Sequence, residues 1–400
     1  MIIIHNGQFV LEEGIVEGLA ILIEGEQIKA IIPEAEVRNV PHAQKIDANG
    51  GYVSPGFIDI HSDYIESLVS PRPTSMMDVH MSLREAEKTL IGNGITTMFH
   101  SLSFYREDVF THKPMRYPEN VQRLVDAISQ THEKAHLIRH RLHARFEIDN
   151  LDEVNRLMEN IKAGKVDLLS FMDHTPGQGQ YRNLEIYRDT LKGYRDISDE
   201  ELTSLIEERV HTPVLSIEQM KEVAELAQSY GIALASHDDD DVKKIELVQE
   251  IGTTISEFPI TLDVAKKANE CGLDIVVGAP NIMLGGSHSG NLSAVVAIQE
   301  GCADILCSDY YPSAILHSIF ALHEQHGLDL HQMFQLATRN PAKAVKLDHQ
   351  IGSITPGLKA DLLIIEKLSD GFPTVTSAII NGEVATTTNY RNQSTMSEVR

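Results

Sequence analysis

The chain has 400 residues, 42% of them hydrophobic and 23% charged, and a formal net charge of −24 at pH 7. That length holds one large domain with an appendage or two ordinary domains, and the composition is that of a globular protein. The acidic balance argues against nucleic acid or anionic membranes as partners, and it repels an anionic substrate unless metals or local Arg and Lys reverse the field.

The three cysteines, Cys271, Cys302 and Cys307, have neither paired ligand spacing nor a disulfide framework, so they read as reduced core thiols in a cytoplasmic protein. The N-terminal Met-Ile-Ile-Ile-His-Asn-Gly lacks the basic region and cleavage site of a signal peptide. No apolar run reaches the roughly 18 residues of a membrane span.

In chain order, residues 1 to about 50 read as short β-branched strands (Ile2–Ile4, Ala20–Ile23, Ile28–Ile32) separated by turn signals at Asn6-Gly7, Glu13-Gly14 and Gly25-Glu26. A second β-rich stretch, Asp361–Ile365 and Val375–Ile380, closes the chain. These ends predict one small β-sandwich built from both termini, residues 1–54 with 355–388, followed by a polar tail over 389–400. Residues 55–354 alternate short apolar runs with longer helical segments, the pattern of a parallel sheet. Strands are predicted at Phe57–Ile60, Thr96–His100, Leu142–Glu147, Leu168–Met172, Ile232–Ala235, Thr253–Ser256, Asp274–Val277 and Asp304–Cys307. Helices fall between them, among them Ser82–Ile91 and Ile217–Tyr230, which makes a (β/α)₈ barrel of the α/β class.

Barrel strands point their C-terminal ends at a common mouth. The first ends in His61 and Asp63, the third in Glu147, and the fourth in Asp173-His174. The fifth ends in His237-Asp238, the sixth in Glu257 and the eighth in Asp309. Each has a plain structural explanation alone; together they predict one or two divalent metal ions held by oxygen and imidazole, with Zn first and Mn or Fe as alternatives. Asp239, Asp240 and Asp241 are assigned to the start of the next helix, where the dipole favours carboxylates. His132, His136, His140 and His143 are crowded without metal-site spacing and are expected to be solvated or to cap.

Two long connections follow strand ends: 175–216, opening with Gly177 and Gly179, and the glycine-rich 278–291. Both suit backbone that approaches a ligand, with N–H donors for phosphate. Expected substrate contacts are His288 and Asn291 in the second connection, and Arg72, held stiffly between Pro71 and Pro73. Arg145 shares a strand face with His143 and Glu147 and is available to a carboxylate or to substrate.

Asn49-Gly-Gly-Tyr-Val-Ser-Pro-Gly-Phe-Ile-Asp-Ile-His61 resembles the entry to the first barrel strand in the amidohydrolase superfamily. Ala337-Thr-Arg-Asn-Pro-Ala342 and Gly352-Ser-Ile-Thr-Pro-Gly-Leu-Lys-Ala-Asp361 resemble its exit from the barrel. The usual His-x-His is His61-Ser-Asp63 here, and the fourth strand does not end in the lysine that carries a bridging carbamate. These departures, with Met172-Asp-His-Thr-Pro-Gly-Gln178, Ala235-Ser-His-Asp-Asp239 and Cys307-Ser-Asp-Tyr-Tyr-Pro312, resemble the phosphonate-metabolism diphosphatases of the carbon–phosphorus lyase pathway.

The resemblance implies hydrolysis of α-D-ribose 1-methylphosphonate 5-triphosphate to the 5-phosphate and pyrophosphate. His61, Asp63, His237 and Asp309 are then core ligands, with Glu147 and His174 as further ligands. Asp173, Asp238 and Glu257 are ligands or their supports, and Asp309 accepts the water's proton. The implied partner is a small phosphorylated sugar, and a homo-oligomer is compatible with the sequence. Two other readings use the same barrel: hydrolysis of an amide or cyclic amide, separable by substrate tests, and a non-catalytic binding protein, which predicts loss of the mouth carboxylates and histidines.

Overall fold

Phe57–Ser62 is buried at all six residues and forms the first of eight parallel strands that run in chain order around one sheet. The computed structural model describes residues 1–106, 114–175, 198–287 and 290–390. The other barrel strands are Ile95–Phe104, Arg139–Glu147, Leu168–Met172, Ala233–His237, Ile255–Glu257, Asp274–Gly278 and Ile305–Cys307. Every predicted strand is present. The second runs to Phe104 instead of His100, because Ser101 and Ser103 are buried small hydroxyl residues and do not end it. A parallel bridge between Ser62 and Asp309 joins the first strand to the segment after the eighth. Asp309 N–H donates to the His61 carbonyl at 3.0 Å, and Asp63 N–H donates to the Asp309 carbonyl at 2.8 Å.

Both faces of a parallel sheet must be covered, and here they are. The barrel interior is filled by Ile58, Ile60, Phe99, Leu168, Ile255 and Val276, among others. The outer wall, including Leu142, Ala144 and Phe146, packs against helical residues such as Leu83, Leu90, Leu124 and Val223. A register shift between Asp59 and Ser62 interrupts the strict alternation of the first strand. Such irregularities redirect side chains next to sites.

The termini build two further sheets. One has four strands in the order Gln27–Pro33, Leu19–Glu24, Ile2–His5, Gln44–Asp47. The other has six and draws on both ends of the chain, with Leu362–Lys367 antiparallel to Tyr52–Pro55. Ile4, Ile21 and Ile23 of the first share a core with Val53, Leu362 and Ile379 of the second. Tyr52–Pro55 passes through Gly56 directly into the first barrel strand. Cys302 and Cys307 are buried, Cys271 is half-buried, and all three are free thiols. Among the described residues no helix is long and apolar enough to cross a membrane. His288, the Gly177 and Gly179 segment and most of the polar tail (391–400) lie outside the described residues.

Candidate metal centre at the barrel mouth

Each ligand candidate sits where a strand ends because the chain there changes from apolar residues to one or two polar ones. His61, Asp63, His174, His237, Asp238 and Asp309 line a single cavity of about 420 Å³, together with Asn291. The His61 and His237 rings stand 5.3 Å apart, and Phe258 packs edge-on against both, at 4.8 and 5.3 Å. Asp238, Phe258 and Asp309, each just past a strand end, have positive φ of 50°, 55° and 58°. Non-glycine residues rarely adopt that conformation, and its cost of about 1 kcal/mol or more concentrates at functional sites.

Glu257 is fully buried and places Oε1 2.8 Å from His61 Nδ1. Burial raises the Glu257 carboxyl, and burial followed by the Arg145 charge lowers His61 well below the usual imidazole range. Burial also works to raise Asp238, but the His237 imidazole beside it, together with His174 and Lys244, outweighs this and brings it to about 2. Asp309 is pushed up to about 7, first by burial and then by the Asp63 charge. Asp59 is likewise raised to about 7 by burial; it accepts from the backbone N–H of Ser308 at 3.2 Å and His61 at 3.3 Å.

This donor set fits a divalent ion. His61, His237 and Glu257 offer three ligand atoms within 4.8 Å of one another, and His174, His237 and Asp238 do the same. Glu257 Oε2 is buried yet has no hydrogen-bond partner, and the buried His237 Nδ1 and Asp238 Oδ2 face only each other, at 2.9 Å. Buried polar atoms are ordinarily satisfied, so an orphaned carboxylate oxygen beside an imidazole–carboxylate pair at one mouth marks donor atoms available to a ligand. Imidazole with carboxylate suits zinc, manganese or iron.

Other predicted residues stand further back. Glu147 is buried and holds His174 through a 2.5 Å contact to Nδ1. Asp173 accepts from Thr175 N–H. Arg72 is not among the residues that line the cavity; it is exposed, and its backbone is tied into a local turn with Ser75. Asp239 also departs from its expected place at a helix start. It is completely buried and accepts from Ser236 and Ser256, each at 2.6 Å, whereas Asp241 caps the helix Val242–Ile251. His143, expected to be solvated or capping, is buried beneath the site, with Nε2 2.9 Å from Ser170 Oγ.

Among the described residues, two arginines reach the cavity. Arg145 Nη2 lies 3.2 Å from His237 Nε2. Arg116 was not anticipated: its Nε donates to Glu66 at 3.0 Å, and its guanidinium lies 5.1 Å from the Tyr105 ring centroid. No local motif marks Arg116, which follows a connection after the second strand.

An eight-stranded barrel with imidazoles and carboxylates gathered at its strand ends defines a class, and residues 52–388 match the amidohydrolase family; the chain belongs to it. Across 369 residues it is 32% identical to α-D-ribose 1-methylphosphonate 5-triphosphate diphosphatase of Escherichia coli, covering 91% of this chain and 95% of that one. It is 23% identical to an imidazolonepropionase of Fusobacterium nucleatum over 381 residues, covering 91% and 86%. Among solved structures it is similar to N-acetylglucosamine-6-phosphate deacetylase of Pasteurella multocida (TM-score 0.61, 15% identity, 96% and 99% covered). The L-hydantoinase of Arthrobacter aurescens is similar to the same degree (TM-score 0.64, 15% identity, 96% and 95% covered). At that identity the structural likeness concerns the fold.

Proposed function

We propose that this hydrolase cleaves a phosphoric anhydride, converting α-D-ribose 1-methylphosphonate 5-triphosphate to the 5-phosphate and pyrophosphate in the cytoplasm. The observation that carries the reading is the similarity to a diphosphatase along nine-tenths of both chains. The cavity is compatible with it. Two guanidinium groups, Arg116 and Arg145, face a site in a protein of net charge −24 and supply the local positive field that a triphosphate requires.

His61, Asp63, His237 and Asp309 would hold a divalent ion, with His174 and Asp238 beside them for that ion or a second. Such an ion supplies Lewis-acid stabilisation of phosphoryl oxygens and lowers the pKa of water. Water attacks a phosphorus atom flanking the α–β bridging oxygen, the bond to that oxygen breaks, and pyrophosphate departs. Asp309 accepts the water's proton; burial and Asp63 raise its proton affinity, as a base requires. Arg145 and Arg116 donate to the oxygens on which charge accumulates. Glu257 and Glu147 position His61 and His174.

Metal analysis combined with phosphorus NMR of the products tests this reading. Pyrophosphate and a 5-phosphate are expected from the ribose triphosphate. Orthophosphate as the sole released product overturns the mechanism.

A further inference from the structure

On the outer face of the barrel wall, three metal-ligating side chains converge at a place that shares no residue with the mouth. Glu87 lies on the helix Val79–Gly92, His136 just before the third strand, and His140 at the start of that strand. Their ligand atoms lie within 4.8 Å of one another. His136 Nδ1 is 3.0 Å and His140 Nε2 3.2 Å from the same Glu87 oxygen, which also accepts the Leu137 N–H at 2.9 Å. Glu87 and His140 are buried, and only 8% of the His136 side chain is exposed. These two histidines therefore correct the expectation of solvated or capping roles. Strand alternation separates the cluster from the mouth: His140 shares its face with Leu142, Ala144 and Phe146 of the outer core, and His143 and Arg145 occupy the other.

Outside the histidines, the cation recorded near this carboxylate is Arg84, 3.8 Å away on a half-exposed side chain. The buried Glu87 carboxylate is thus satisfied chiefly by the two imidazoles and the Leu137 N–H, and an ion between the same groups would take over that pairing. Behind His140, its Nδ1 lies 2.8 Å from Nε2 of the buried His100, and the two rings are stacked 15° from parallel. With Nε2 of His140 on a metal, Nδ1–H donates to His100. This is how a ligating imidazole is ordinarily oriented by a group behind it. His132 Nε2, 2.9 Å from the His140 carbonyl, fixes the backbone at the same point.

We infer that Glu87, His136 and His140 form a second, structural site for a divalent first-row metal of zinc type, tying the helix after the first strand to the entry of the third. Two imidazoles and one carboxylate are a zinc donor set, with water completing the coordination. The ion cross-links residues 49 and 53 positions apart in sequence. It takes no part in the chemistry at the mouth.

The test uses full-length protein stripped with chelator, reloaded with zinc or cobalt(II), and dialysed before elemental analysis. A variant with both His61→Asn and His237→Asn is expected to retain one equivalent of zinc, and adding His136→Gln is expected to remove it. In the otherwise natural chain, His136→Gln should lower zinc content by one equivalent with turnover unchanged. It should also abolish the part of the zinc-induced rise in Tm that persists in the mouth-site variant. Glu87→Gln should repeat the loss. If Glu87→Gln does not fold, the cobalt(II) absorption of the mouth-site variant, with and without His136→Gln, decides. The proposal is overturned if the mouth-site variant binds no ion, or if its bound equivalent and cobalt spectrum survive His136→Gln.

Discussion

Arg145 and His237 meet at 3.2 Å, guanidinium Nη2 to imidazole Nε2, inside the set of groups that would hold a metal. A guanidinium only donates, so His237 accepts at Nε2, while its Nδ1 faces Asp238 at 2.9 Å and is the nitrogen open to an ion. Arg145 thereby places a positive charge among ligands meant for another cation, and two effects should separate on its removal. Arg145→Gln is expected to lower kcat/KM for the triphosphate by roughly 10- to 100-fold, the usual worth of a charge-assisted bond. The same substitution should tighten metal binding, because a like charge is gone. Steady-state kinetics and competition with a chelator measure the two; loss of metal affinity would contradict this account of Arg145.

Asp309→Asn should reduce kcat by about 10²- to 10⁴-fold, the range for loss of a positioned general base. Asparagine tolerates the left-handed backbone at φ 58°, so folding should survive. Circular dichroism with kinetics on the same preparation makes the check, and retained turnover would remove Asp309 from the mechanism.

For Glu257→Gln the expected change is in metal affinity, about 10- to 100-fold weaker. Its Oε1 sets the orientation of His61 through a 2.8 Å contact, and an amide cannot supply the same charge. Zinc titration of stripped protein measures this directly. Unchanged affinity would make Glu257 merely a packing residue.

Gly56 sits where the terminal sheet hands the chain to the barrel, and a Cβ there would come within 2.2 Å of Thr96 Oγ1 and 2.7 Å of Thr96 Cβ. Thr96 is buried in the second strand and has little room to move. Gly56→Ala should therefore destabilise by about 1–3 kcal/mol or more, as overpacking does. Thermal unfolding tests it, and an unaltered Tm would show that this junction yields.

Asp274 opens the seventh strand and is pushed up to about 6 by burial and by the neighbouring Asp304 charge. An acid whose folded pKa exceeds its unfolded value of about 3.9 contributes stability below that value and loses it as pH rises through the folded pKa. Stability from this group therefore declines between about pH 4 and pH 6. Asp274→Asn should gain about 1 kcal/mol at pH 7 after discounting for solvent screening, and nothing at pH 4. Denaturant titrations at both pH values decide; a loss of stability at pH 7 would reverse the sign.

The strand ends were legible because each is a local statement: an apolar run, then His61, His237 or Asp309 within a residue or two. What escaped is convergence between distant segments. Arg116 comes from a separate connection, and nothing near it in sequence announces Tyr105 or Glu66 as its neighbours. Glu87, His136 and His140 belong to a helix, a loop and a strand, so no fixed spacing links them. Arg72 illustrates the converse, since two prolines make a stiff loop without saying where it points. Asp239 differs again: a carboxylate before a helix ordinarily caps it, and only the buried hydroxyls of Ser236 and Ser256 reveal another role.

The bridge between Ser62 and Asp309 has a consequence for how activity arises during synthesis. The first and last strands bring their ligands together only when the wall between them is complete. Loop closure of this length is a late and slow event in folding. A nascent chain holding His61 and His237 therefore has no hydrolytic centre, and a truncated one stopping before the eighth strand gains none. Chemistry at this mouth begins only once the ring has shut, so half-made chains are without it while the ribosome is still adding residues.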